Sequence, residues 1–312
     1  MLAQKPSDLL AGESRAVCYS GFRPGQHPDR GSGAVNPTDA EILEDLRILS
    51  GRGGFRLIRL YDSQENSEAV LRLISRHKLE LKVLLGAWLS AEVNNPGCPW
   101  QKEPYPDELL KRNKLANQKE IQRAIRLANE YPEIVAAIAV GNEALVEWND
   151  HMVPVDAVIR YVREVKEATA QPVTVADNYD WWAKQGAGLA KHLDFISVHI
   201  YPQWEEKDIG EAMSYGIANL EAVRKALPDS RIVITEAGWA TTASEFGPRA
   251  SEEKQAAYYR ELFDWAARTH ITTFFFEAFD EDWKGDPNNP LGAEKHWGLF
   301  TGDRKPKQAM RR

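Results

Sequence analysis

The 312-residue sequence predicts a single-domain α/β fold, a closed (β/α)8 (TIM) barrel. Three observations carry this. Eight short β-rich apolar runs alternate with seven longer helix-like stretches, the connectivity a closed parallel barrel requires. The runs are apolar at most positions rather than at every second one, as in Ile134-Val-Ala-Ala-Ile-Ala-Val140, which implies burial on both faces. The length suits one such barrel of about 250 residues with loop insertions, and no linker divides the chain.

The strands are expected at 16–22, 55–62, 81–88, 134–143, 172–178, 193–201, 231–239 and 272–279. Helices are expected at 37–51, 65–78, 107–131, 154–169, 182–192, 208–227 and 251–269. Thr38 followed by Glu41 gives the capping-box spacing for the first helix. Pro154 reads as a first-turn proline, and Val155, Val158, Ile159, Val162 and Val165 then fall on one face at the helical period. Ser251 ahead of Glu252 and Glu253 reads as an N-cap with an acidic first turn. The turn after the first strand, Gly21-Phe-Arg-Pro-Gly-Gln26, is not a Gly-rich phosphate loop and does not open directly into a helix, which argues against a doubly wound nucleotide fold. The barrel domain is assigned to residues 1–312, with 1–15 expected to be a disordered or appended N-terminal stretch.

Composition narrows the function. Hydrophobic residues make up 43% and charged residues 27%, enough for a sizeable core. No apolar run approaches the roughly 20 residues of a membrane span. A net charge of −7 disfavours nucleic acid as a partner, and the basic tail Arg304–Arg312 reads as a solvated terminus. Cys18 and Cys98 lack metal or redox spacing and read as free thiols. Met1–Ala16 has no charged-then-apolar leader pattern, so either an intracellular protein or one exported after loss of a leader fits. A monomer is expected.

The chemistry of a barrel sits at the C-terminal strand ends. Strand four ends Val140-Gly-Asn-Glu143 and strand seven Ile234-Thr-Glu236-Ala-Gly-Trp239. These strands face each other across the barrel mouth, so Glu143 and Glu236 can converge. Paired carboxyls of this kind cleave glycosidic bonds, with retention at separations of about 5–5.5 Å and inversion at about 6.5–9.5 Å. Strand placement leaves their roles interchangeable; Asn142, an amide able to bond a sugar 2-hydroxyl, favours Glu143 as the acid. Eight tryptophans, Trp88, Trp148, Trp181, Trp182, Trp204, Trp239, Trp283 and Trp297, fall at strand ends or in the following loops, where their faces would stack on sugar rings; Trp265 reads as core. There is no HExxH or GxSxG motif, and His199 is a strand-end histidine without an evident carboxylate cluster.

These segments resemble glycoside hydrolase family 17, the clan A β-1,3-glucanases, in its bacterial and fungal branch. The likeness runs in order through Val17-Cys-Tyr19, Ile58-Arg-Leu-Tyr61, Ile138-Ala-Val-Gly-Asn-Glu143, Ile234-Thr-Glu-Ala-Gly-Trp239, Phe279-Asp-Glu-Asp-Trp-Lys284 and Glu294-Lys-His-Trp-Gly-Leu-Phe300. The resemblance implies a retaining enzyme on β-1,3-glucan that needs no cofactor. It makes Glu143 the acid/base and Glu236 the nucleophile, puts Asn142 on the 2-hydroxyl, and has Tyr201 orient Glu236. It lines the cleft with Tyr19, Tyr61, Glu281 and Lys284, and Trp239 of the aromatic rim is expected to bind substrate beside them. The loop Arg23-Pro-Gly-Gln-His-Pro28 and the long third loop, residues 89–106, depart from the plant pattern. Hydrolysis or glucanosyl transfer, and endo or exo action, are both left open. Another β-glucan linkage on the same clan, or a non-catalytic glycan-binding barrel, are the alternatives.

Overall fold

The computed structural model describes residues 15–29 and 33–311. Eight parallel strands, β1 (Ala16–Cys18), β2 (Leu57–Arg59), β3 (Lys82–Ala87), β4 (Val135–Asn142), β5 (Val173–Asn178), β6 (Ile196–Ile200), β7 (Ile232–Gly238) and β8 (Thr273–Phe276), pair in sequential order and close on themselves. The expected (β/α)8 barrel is therefore the fold, in one domain. Of the N-terminal stretch expected to stand apart, 1–14 lies outside the described residues.

The helices are α1 (Asp39–Arg47), continued by a π-helical turn (Ile48–Arg52), α2 (Glu65–His77), α3 (Asp107–Glu130), α4 (Val155–Ala168), α5 (Tyr179–Gln185), α6 (Ala187–Ala190), α7 (Ile209–Ala226) and α8 (Glu252–Thr269). The capping box at Thr38 and Glu41 is formed, and the Ser251 hydroxyl accepts from Lys254 N. Pro154 stands one residue outside α4 as its cap, with extended backbone, rather than inside the first turn. The stretch expected as one helix at 182–192 starts earlier and breaks at Gly186, giving α5 and α6.

Strand parity decides what faces the barrel axis. Ala16, Cys18, Leu57, Leu84, Ala137, Ala139 and Phe274 pack together inside; Val17, Ile58, Val83, Ile138 and Phe275 join the layer between sheet and helices. The helix layer is the larger cluster, and the interior is narrow enough for small side chains. The lower interior is apolar, which leaves the polar chemistry to the strand ends.

Two cations of the basic tail, Arg304 and Lys307, are not solvated as expected. Arg304 is buried, donating to both Asp45 oxygens on α1, at 2.8 and 2.7 Å, and to Gly21 O. Buried Lys307 holds Asp280 at 2.7 Å. These cations dock the C-terminal segment against the loops after β1 and β8, and charged tails so paired are architecture rather than solvation. Both cysteines are free and buried, and burial pushes the Cys18 thiol up to about 12. Among the described residues no helix is long and apolar enough to cross a membrane.

Candidate active site

Glu236 sits inside the mouth of the barrel because β7 is irregular. The register against β8 slips between Ile234 and Ala237, so alternation restarts there. Glu236 turns inward opposite its register partner His199 on β6, and Ala237 and Trp239 fall to the helix side. Its carboxylate is held at both oxygens. Oε1 accepts from Arg59 Nη1 at 2.6 Å and from the Tyr61 hydroxyl at 3.0 Å; Oε2 accepts from the Tyr201 hydroxyl. Burial pushes the Glu236 carboxyl up, but the Arg59 guanidinium and the Tyr201 hydroxyl hold it below the usual carboxylate range.

Glu143 is built differently. The chain leaves β4 through two left-handed residues, Gly141 at φ +82° and Glu143 at φ +46°. For a glutamate this conformation costs on the order of 1–3 kcal/mol and persists only when neighbours over-determine it. They do: Glu143 N donates to Ala176 O at 2.9 Å, the Asn149 amide donates to Glu143 O, His151 Nε2 donates to Asn142 O at 2.9 Å, and Leu145 N donates to Asp177 Oδ2 at 3.0 Å. The Glu143 side chain is 26% exposed, against 7% for Glu236.

His199 joins the two. Its Nδ1 is 2.9 Å from Glu143 Oε1 and 3.6 Å from Glu236 Oε2, and Arg59 Nη1 lies 3.3 Å from its Nε2. Arginine only donates, so Nε2 accepts and the ring proton is assigned to Nδ1, which donates to Glu143. The expectation that His199 stands apart from any carboxylate cluster is thus overturned: one donor atom from each of Glu143, His199 and Glu236 lies within 4.8 Å of the other two. Arg59 already supplies the positive charge this group needs, bonding Glu236 and, through Nη2, Asn142 Oδ1. A divalent cation at the same place would face that guanidinium, so the arrangement suits acid–base work.

Of the other expected site residues, Tyr61, Tyr201 and Asn142 are brought to the carboxylates. Lys284 and Glu281 form an adjoining group: Lys284 Nζ pairs with Glu277 and, at 2.9 Å, with Glu281, whose oxygens also receive the Ser20 hydroxyl and Phe22 N. Burial pulls the Lys284 ammonium down, and the two carboxylates more than offset this and raise it. Tyr19 and Trp239 need correction. Tyr19 shares the parity of Val17, is 1% exposed and donates to Asp45 at 3.3 Å, so it lies in the helix layer. Trp239 is fully buried, donates to Arg249 O at 2.9 Å and packs on Tyr258.

The tryptophan rim is also thinner than expected. Trp148 and Trp204 are exposed and Trp88 and Trp283 half-buried, whereas Trp181, Trp182, Trp239 and Trp297 are buried. Trp182 donates to Ser197 O at 2.8 Å as a packing residue. Trp297 supports the rim from below, 5.2 Å from Tyr201 and 6.4 Å from Trp204. Trp265 is core as expected, and exposed Trp100 was not anticipated.

Sequence reasoning passed over Arg59, Asn149, His151, Asp177, Glu277 and Glu294. Arg59 had a readable signal, a cation in the apolar run Leu57-Ile-Arg-Leu60 with the parity of Tyr61. Burial pushes Glu277 well above the usual carboxylate range, opposed by Lys284, and raises Glu294 to about 7.

The BtgE/BtgC glycoside hydrolase domain model matches residues 16–298, nearly the whole barrel. The chain belongs to the BtgE/BtgC glycoside hydrolase family. It is a glycosidase by that membership, and the resemblance to glycoside hydrolase family 17 holds. A glucan 1,3-beta-glucosidase of Arthroderma benhamiae is 28% identical over 98% of this chain and 93% of its own. The crystal structure of an endo-laminarinase from Formosa superposes with a TM-score of 0.82 at 27% identity, over 97% of this chain and 86% of that one. A glycoside hydrolase family 17 beta-1,3-glucanosyltransferase from Rhizomucor miehei shares the fold, with a TM-score of 0.72 at 22% identity over 96% and 98%.

Proposed function

We propose that this glycosidase acts on β-1,3-glucan with retention, through a covalent glucosyl-enzyme on Glu236 and with Glu143 as acid/base. The observation that carries the reading is the gap between the two carboxylates. Their facing oxygens lie within 4.8 Å, close to the spacing of retaining pairs and too short for the water that inversion needs between them. The linkage rests on the relative named a glucan 1,3-beta-glucosidase, which this chain matches over 98% of its length.

The two environments support the division of roles. Glu236, kept ionised and fixed at both oxygens, attacks the anomeric carbon as the glycosidic C–O bond breaks. Glu143, more exposed, gives its proton to the leaving oxygen and then, as carboxylate, takes one from the acceptor that resolves the glucosyl-enzyme. Arg59 occupies the oxygen of Asn142, which leaves the amide N–H groups to donate to a sugar 2-hydroxyl. Tyr61 and Tyr201 keep Glu236 in line. The acceptor is water in hydrolysis or a sugar hydroxyl in transfer.

The test is a time course on a defined β-1,3-gluco-oligosaccharide beside β-1,4- and β-1,6-linked ones. Cleavage of the β-1,3 substrate with first-formed β-anomeric products is expected. First-formed α-products would reject retention, and preference for another linkage would reject the substrate. Products longer than the starting sugar identify transfer.

A further inference from the structure

Trp204, in the loop between β6 and α7, is 44% exposed yet held in both main chain and side chain. Its backbone N–H donates to Tyr201 O at 3.1 Å, closing a turn on the tyrosine whose hydroxyl bonds Glu236. Gln203 before it is fully buried, accepting from Ala240 N at 2.8 Å and donating to Arg249 O at 3.2 Å, which ties this loop to the one after β7. The indole crosses buried Phe246 at 80°, with centroids 4.6 Å apart, and lies 6.4 Å from buried Trp297, itself 5.2 Å from Tyr201. A scattered exposed ring needs no explanation. A ring fixed this firmly with much of its surface in water is preorganised for a ligand, because little side-chain freedom is left to lose on contact.

The barrel order says which part of the ligand. Glu143 and Glu236 end β4 and β7, so the line between them divides the rim into β5–β6 on one side and β8–β1–β2–β3 on the other. Arg59 of β2 holds Asn142, and Ser20, Glu281 and Lys284 gather polar groups after β1 and β8. The glucosyl unit that is transferred, with its 2-hydroxyl at Asn142, therefore belongs to the second side, and the sugar that leaves or accepts belongs to the first. We infer that Trp204 is a specificity-determining residue that stacks on a sugar of the leaving or accepting chain. The inference rests on the proposed reading of the site as a retaining β-glucan enzyme. An indole face covers the C–H face of a pyranose and leaves its hydroxyls free. Trp204 touches no reacting atom, so it acts on binding.

The experiment compares the wild type, Trp204→Ala and Trp204→Phe on a β-1,3-gluco-oligosaccharide and on the β-glycosyl fluoride of the same donor unit, whose leaving group occupies no sugar position. Trp204→Ala should lower kcat/KM on the oligosaccharide about tenfold or more, mainly through KM, and change it less than about twofold on the fluoride. Trp204→Phe, which keeps a smaller ring, should fall between and serves if the alanine variant does not fold. Equal losses on both substrates would assign Trp204 to the support of Tyr201 and Glu236 and overturn the inference, as would no loss on either. A wild type that instead cleaves a β-1,4- or β-1,6-linked oligosaccharide rejects the linkage alone, and the same comparison on that sugar then decides the role of Trp204.

Discussion

The ends of β4 and β7 carry the same side chain in opposite settings. At β7 a sheet irregularity turns Glu236 inward, and an arginine and two tyrosines hold both its oxygens. At β4 the precision lies in the backbone: a left-handed turn held by Asn149, His151, Ala176 and Asp177 presents a side chain that is bonded to His199. An attacking carboxylate needs fixed direction and charge. A proton shuttle needs access to the leaving oxygen and then to the acceptor, and therefore exposure. One end is rigid in its side chain and the other in its main chain, a difference that supports the proposed division of roles, which strand position alone leaves equivalent.

Breaking each side of this contrast gives a graded series. Glu236→Ala should lower kcat by about 10⁴-fold or more in steady-state assays, because it removes the proposed nucleophile. Glu143→Gln should lower kcat/KM by about 10²–10⁴-fold on oligosaccharides and much less on activated aryl glycosides; equal losses would remove its role as general acid. Arg59→Met leaves the buried Glu236 carboxylate without its cation and should cost about 3–5 kcal/mol in denaturant unfolding, with activity falling alongside.

Glu294 gives a pH-dependent test. Burial raises its carboxyl from the ordinary 4.5 to about 7, so its ionisation opposes folding. Stability from this group is full below about pH 4.5 and is lost as pH rises toward 7. Glu294→Gln should flatten the fall in melting temperature across that window; an unchanged slope would mean the group titrates normally. The smallest effects are expected at Tyr19→Phe and Trp239→Phe, which should alter kcat/KM by less than about twofold, since both side chains lie in the helix layer. A large rise in KM in either would return it to the cleft.

The barrel was legible because its determinants are local: apolar runs, caps and turn signals recur along the chain, and their order matches the sheet. The two glutamates were legible because charge at the end of an apolar strand is conspicuous. Tyr19 was misplaced although Val17 beside it shows the outward parity, and Trp239 because the slip in β7 that sends it outward leaves no mark in composition. The clamps on Glu143 come from residues 149, 151 and 177, which only the closed barrel brings to one turn. Arg304 and Lys307 looked like a solvated tail because their partners, Asp45 and Asp280, lie far off or across a loop.

The central claim, that Glu236 forms the covalent bond, is tested most directly by adding azide to Glu236→Ala with an activated β-glucosyl substrate. Restored turnover giving the α-glucosyl azide is the expected result, because the small anion then attacks from the face the carboxylate has vacated. A β-glucosyl azide would mean that the acid/base had been removed and that the roles of Glu143 and Glu236 are reversed.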